Sequence, residues 1–181
     1  MSSNVYVMEA ANLFCGDADP SLSNHLTISD LKLPELAENY VDHRPGGAPI
    51  AVEVDTNMNR LESTFTLAGW QPQVQTMIGL STTANQVFTA YGVIRDRRNG
   101  RALEGKAVMQ GRLGRVNPQN WRRGDLQSHE YSIRAIMHYA LWLEGEEMFY
   151  WDFFLNTRRT GGVDINRDIN RILRIPIGEG G

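Results

Sequence analysis

Four histidines (His25, His43, His129 and His138) and one cysteine, Cys15, are the side chains of this 181-residue chain best suited to metal or acid–base chemistry. None of the histidines stands at ligand spacing from another histidine or from Cys15. His129-Glu130 opens a strand-like run, so its two side chains point to opposite faces and cannot grip one ion. His138 falls on the water side of the same run and is expected to be exposed. Glu144, Glu146 and Glu147 cluster at a turn, where solvated charge accounts for them. Asp17 and Asp19 precede Pro20 without the Asp-x-Asp-x-Asp-Gly ladder of a calcium loop. Gly46-Gly47 follows no strand and opens no helix with a P-loop lysine. Ser63 and Ser132 lie inside strands, not at a nucleophile elbow. No catalytic, metal or cofactor residue is therefore predicted, and the chain does not read as an enzyme.

Charge narrows the classes further. The net charge of −3 argues against a protein held to nucleic acid by bulk charge. Lys32 and Lys106 are the only lysines beside sixteen arginines, whose forks suit fixed pairs with carboxylates. The basic run Arg95–Arg101 reads as a charged hairpin tip. A lone Cys15 allows neither an intrachain disulfide nor a multi-thiolate site, and reads as a buried or idle thiol, with an intermolecular disulfide as the alternative. No run of about 18 apolar residues marks a membrane span, and the first residues lack the basic and apolar regions of a signal peptide. A cytosolic site of synthesis is expected.

Strand signals dominate the rest. Leu61, Ser63, Phe65 and Leu67 alternate with polar residues, one face for a core and one for water. Gln86–Arg95 is rich in β-branched and aromatic residues, and Asn99-Gly100 predicts a type I′ turn into a second strand, Ala107–Val116. Glu130–Leu143 places Tyr131, Ile133, Ala135, Met137, Tyr139, Leu141 and Leu143 on one side. Glu144-Gly145-Glu146 turns it into Met148–Leu155, a strand apolar on both faces and so packed on both. Pro72–Leu80 reads as a short helix. Ile165, Ile169, Ile172 and Leu173 predict an amphipathic C-terminal helix with ion-paired flanks, after a Gly161-Gly162 hinge. Pro176–Gly181 is expected to be extended or disordered. The fold class is mainly β: an antiparallel sandwich or barrel, one domain over 1–181, with a short flanking helix and a C-terminal tail over 161–181.

Between the strand-like runs Leu26–Leu33 and Arg60–Ala68 lies a segment with Pro34, Pro45, Pro49 and Gly46-Gly47. A compact domain rarely keeps a loop beyond roughly 12–15 residues without a use for it. We read 31–59 as an extended loop that either binds something or wraps a neighbour. Its prolines lower the entropy cost of ordering, and its paired glycines let a backbone bend or be approached closely.

The order of motifs over nearly the whole chain resembles the major tail tube proteins of contractile-tailed bacteriophages, and is similar to R-type pyocin tubes. The resemblance rests on Asn12-Leu-Phe14, Leu26–Pro34, Glu38-Asn-Tyr40, Gly46–Pro49, Glu62–Gly69, Met109–Arg112, Val116–Asp125, Tyr139–Glu147, Tyr150-Trp-Asp152 and Gly162-Val-Asp164. It implies a subunit that closes hexameric rings, which stack into a hollow tube inside a contractile sheath. It also implies a conduit for DNA, built in the host cytoplasm on a baseplate hub, around a tape measure protein, up to a tail terminator protein, and housed in the virion tail. The partners implied are further copies of the chain, the tail sheath protein and those assembly factors, with DNA passing through the lumen unread. No cofactor is implied. The subunit-interface candidates it implies are Pro34, Tyr40, Arg44, Gly46, Gly47, Pro49, Trp121, Asp125 and Trp151. A pyocin or type VI-like tube remains an alternative, as does a carboxylate hydrolase of β fold. A lumen that carries duplex DNA should be acidic or neutral, because phosphate contacts repeated over many rings would trap it.

Overall fold

The computed structural model describes residues 4–16, 20–47, 49–79 and 85–175. The architecture is mainly β and antiparallel. Strands β1 (Tyr6–Cys15), β2 (Ile28–Lys32), β5 (Ser63–Ala68), β6 (Gln86–Asp96), β7 (Ala102–Pro118), β8 (Ser128–Leu143), β9 (Glu146–Asp152), β10 (Thr157–Thr160) and β11 (Val163–Asp164) form one nine-stranded sheet. Strands β3 (Glu38–His43) and β4 (Val52–Met58) form a separate hairpin. Two α-helices, α1 (Pro72–Gln75) and α2 (Arg167–Leu173), and one 3-10 turn, Pro20–Leu22, complete the described elements.

The long strands β7 and β8 are the spine. Along one edge β8 pairs first with β5, through Ser128–Ile133, and then with β9, through His138–Leu143. The change falls at a bulge where the β7 register jumps from Gln110↔His138 to Arg112↔Arg134. Ala135 takes a left-handed φ of 49° there. A side chain on Gly111 would place its Cβ 2.8 Å from the Arg134 carbonyl oxygen, so only glycine lets the strands approach this closely. The bulge bends the sheet over its own core. It also breaks the alternation expected of Glu130–Leu143: Ala135 is exposed and Ile136 is buried in its stead.

The core gathers Leu13, Phe65, Phe88, Met109, Leu113, Tyr131, Ile133 and Tyr139, all essentially inaccessible. Phe65 stacks on Tyr131 with ring centroids 5.0 Å apart. The face read from Leu61 to Leu67 does point inward, with Ser63 donating from its hydroxyl to the Lys32 carbonyl at 2.8 Å.

Several local expectations are corrected. The turn after β6 is the five-residue connection 97–101, in which Gly100 alone has positive φ, because Asp96 Oδ1 accepts from the Arg98 amide and Asn99 Oδ1 from that of Arg101. The type I′ signature belongs instead to Glu144-Gly145 and to Gly161-Gly162, both pairs with positive φ. The second pair joins β10 to β11 and is no hinge. Helix α1 is a single turn that ends at Gln75: residues 76–79 are turn and irregular backbone, against the expected Pro72–Leu80 helix, while Leu80, Asp17, Asp19 and the Pro176–Gly181 tail lie outside the described residues. Strand β9 ends at Asp152, leaving Phe153 and Phe154 exposed in a turn. Its second face is covered by the chain's own polar groups: Arg159 lies 3.8 Å from the centroid of the Tyr150 ring, and His138 meets that ring edge-on. His138 is accordingly half-buried rather than exposed, with Nδ1 3.1 Å from Asp152 Oδ2.

Candidate assembly surfaces

The segment read as an extended loop is an ordered β-hairpin. Strands β3 and β4 pair from Glu38↔Met58 to His43↔Val52, around a tip that carries Arg44, Gly46, Gly47 and Pro49. The alternation Val52-Glu-Val-Asp-Thr56 was the signal for it, masked by the prolines and glycines of the tip. All but one of its strand residues are exposed, and it joins no other strand. The missing core contact explains why it reads as a loop: an isolated two-stranded hairpin is marginal in water. Its base is tied by a 3.7 Å ion pair between Glu38 and Arg158 of β10.

Strand alternation sorts the hairpin into two faces. Val41 opposes Val54 and His43 opposes Val52 on one. On the other, Tyr40 opposes Asp55 and Asp42 opposes Glu53. Like charges directly across a ladder are destabilising, and none of these three carboxylates forms an ion pair among the described residues. The Tyr40 phenol donates to Glu38 Oε2 at 2.9 Å, and that hydrogen bond, followed by the charge of Glu38 and weaker contributions including those of Asp55 and Glu53, raises its pKa. Neither tip glycine has positive φ or a neighbour within 4 Å of a built Cβ.

A second surface lies at the other end of the β2–β5 ladder. The hairpin leaves from the Lys32–Ser63 end; Trp70 follows the Ala68 end. The β7–β8 connection is pinned there by the Gly69 amide donating to the Gln127 carbonyl at 2.6 Å, and by Gln119 Oε1 accepting from the Ser128 amide. Trp121, 76% exposed, meets the half-exposed Trp70 edge-on at 5.9 Å. Trp70 in turn covers the buried His129 ring at 5.2 Å. Arg122, Arg123, Asp125 and Leu126 are all exposed beside this pair.

A third surface is α2. Its inward residue is Asn170, buried and bonded to Asn156, while Ile165, Ile169, Ile172 and Leu173 face outward. The helix exists as expected, with Arg171 paired to Asp168 at 3.3 Å, but among the described residues its apolar stripe stays about half or more exposed.

Among the interface candidates, the structure brings Tyr40, Arg44, Gly46, Gly47 and Pro49 together on the hairpin, and Trp121 with Asp125 on the tryptophan patch. Pro34 is buried and Trp151 packs against the core, so the subunit itself covers much of both. Sequence reasoning missed Trp70, which only the fold sets beside Trp121.

Chemistry is sparse elsewhere. Among the described residues no three His, Cys, Asp or Glu side chains gather to hold a metal, and no helix is long and apolar enough to cross a membrane. Burial pushes the Cys15 thiol up to about 12, which makes it a poor nucleophile.

A family model described as phage tail tube protein FII matches residues 10–173. No curated protein matches the chain. Among solved structures, the chain is similar to one in the sheath–tube complex (extended state) of PVC, an extracellular contractile injection system. That match has a TM-score of 0.54 and 8% identity, over 74% of this chain and 88% of that one. It is also similar to one in the sheath/tube terminator structure of the same kind of system, with a TM-score of 0.52 and 8% identity, over 74% of this chain and 92% of that one. Identity this low speaks to fold alone. The family match runs from β1 through α2 and takes in the hairpin and the tryptophan patch, and with it the chain belongs to the phage tail tube protein FII family.

Proposed function

We propose that this chain is a structural protein whose hexameric rings stack into the inner tube of a phage contractile tail, the conduit for DNA into the host. The observation that carries the reading is the β3–β4 hairpin: ordered, exposed and outside the nine-stranded sheet. A two-stranded ribbon without a core gains its stability from a partner, and a heterologous contact between unlike surfaces is what closes rings and extends stacks. The exposed stripe of α2 is a further surface in want of cover. The tube assembles in the host cytoplasm on a baseplate hub, around a tape measure protein, inside the sheath, and ends at a terminator, as one domain per subunit. The lumen is acidic or neutral, so that DNA passes without being held.

Negative-stain microscopy and sedimentation of the purified chain test this. Rings or hollow tubes are expected; a persistent monomer at all concentrations refutes it. Deleting Arg44–Pro49 should leave far-UV circular dichroism close to that of the full chain and abolish tubes; normal tubes from the deletion would remove the hairpin from the assembly role. The likeness of fold to an extracellular contractile injection system favours a second reading, the tube of a related contractile injection system (R-type pyocin or type VI-like) rather than of an infectious phage. Nuclease-resistant DNA in purified particles decides between the two.

A further inference from the structure

Three carboxylates on one face of the hairpin, Asp42, Glu53 and Asp55, oppose or adjoin one another with no cation to pair with among the described residues. Two guanidiniums at the other end of the β2–β5 ladder, Arg122 and Arg123, are exposed beside Trp70 and Trp121 and likewise form no ion pair there. We propose that the tryptophan–arginine patch is the receptor for the acidic face of the β3–β4 hairpin of a second copy of this chain. The inference rests on the tube reading and deepens it by naming what the hairpin grips.

Placement supports the pairing. The two surfaces attach at opposite ends of one ladder, so each subunit carries a donor at one end and a receptor at the other. Copies related head to tail bring unlike ends together, and the contact repeats without being used up. Composition supports it too. Exposed Trp and Arg are the residue types that dominate binding energy at protein contacts, and the arginine fork suits carboxylates in pairs. Docking would turn the Asp42↔Glu53 repulsion, unfavourable in the free subunit, into a gain realised only in the assembly. The tip adds a steric argument: Gly46 and Gly47 present bare backbone with nothing among the described residues close to it, which leaves room for a neighbour. Asp125, in the same connection as the arginines, would tolerate an acidic partner only if it points aside, and the patch keeps a net charge of +1 with it counted.

Charge reversal and its rescue test the proposal in the full chain. Arg122→Glu with Arg123→Glu is expected to raise the concentration needed for tubes at least about tenfold, since like charges then meet across the contact. Glu53→Arg with Asp55→Arg should do the same. All four substitutions in one chain should restore tubes. Thermal melts of the dilute subunit control for folding; a Trp121→Ala variant probes the apolar part if the charge variants fail to fold. The proposal is overturned if the arginine variant assembles like the original chain. It is equally overturned if both charge variants fail and the combined chain is not rescued. A patch that retains labelled DNA in an arginine-dependent way while tubes form normally also overturns it, in favour of a nucleic-acid contact. If the unmodified chain itself forms no rings or tubes, the failure lies with the tube reading and not with the choice of receptor.

Discussion

Gly111→Ala puts the bend of the β7–β8 spine to the test. The new Cβ would sit 2.8 Å from the Arg134 carbonyl oxygen and 3.2 Å from both Ile133 Cγ2 and Ile136 Cγ1. The closest atom is backbone, held by the bulge, and the other two belong to buried side chains. None can swing away as the end of a long exposed side chain could. Gly111 lacks positive φ, so the cost is steric rather than conformational. Overpacking of this kind costs about 2 kcal/mol, which for a domain of this size lowers Tm by roughly 4–8 °C. The assay is thermal circular dichroism on the dilute chain. Gly46→Ala is the control: with nothing within 4 Å and no positive φ, it should leave Tm where it was. A Gly111→Ala melt within about 1 °C of the original would refute the reasoning, because it would mean that the bulge yields freely.

Other outcomes follow from the same contacts. Phe65→Ala removes a fully buried ring stacked on Tyr131 and should cost about 4 kcal/mol by denaturant titration; a loss below 1 kcal/mol (roughly a quarter of that) would contradict the packing. Arg159 bonds Glu147 through both guanidinium arms and holds its carboxyl below the usual 4.5. A depressed acid stabilises above its unfolded pKa and loses that contribution as pH falls through the folded one, so Glu147→Gln should cost about 1 kcal/mol at pH 7 and the gap should close in acid. An equal gap in melts at neutral and acid pH would count against the pair. Cys15, with its thiol pushed up to about 12, should resist thiol reagents until denatured and form no crosslink on a non-reducing gel of tubes; fast native labelling would contradict its burial.

Where burial sets the pattern, the sequence was readable. The alternation around Phe65, the run from Gln86 and the strand from Glu130 announce themselves because one face of each is held against a core. The bulge at Ala135 was not legible, since it arises from what Gly111 permits on the neighbouring strand. The β3–β4 hairpin hid for the opposite reason: both its faces are wet, so its valines and carboxylates alternate without a core to explain them. Strand β10 was missed likewise: Thr157–Thr160 carries no apolar alternation, and only the fold sets Glu38 and Glu147 beside Arg158 and Arg159. Trp121 was visible as a candidate, but its partnership with Trp70 needs the ladder that joins two distant segments.

The amide clamp on α2 has a consequence for the life of the free subunit. Asn170 and Asn166 both donate to the Asn156 carbonyl, and Asn156 donates back to Asn170 at 2.6 Å. Hydrogen bonds are directional where apolar contacts are not, so this triad fixes the roll of the helix about its axis. The roll it fixes turns Ile165, Ile169, Ile172 and Leu173 toward water. The stripe therefore stays at the surface of the lone chain, where its apolar area favours association as concentration rises. The three asparagines thus decide which side of the helix meets water.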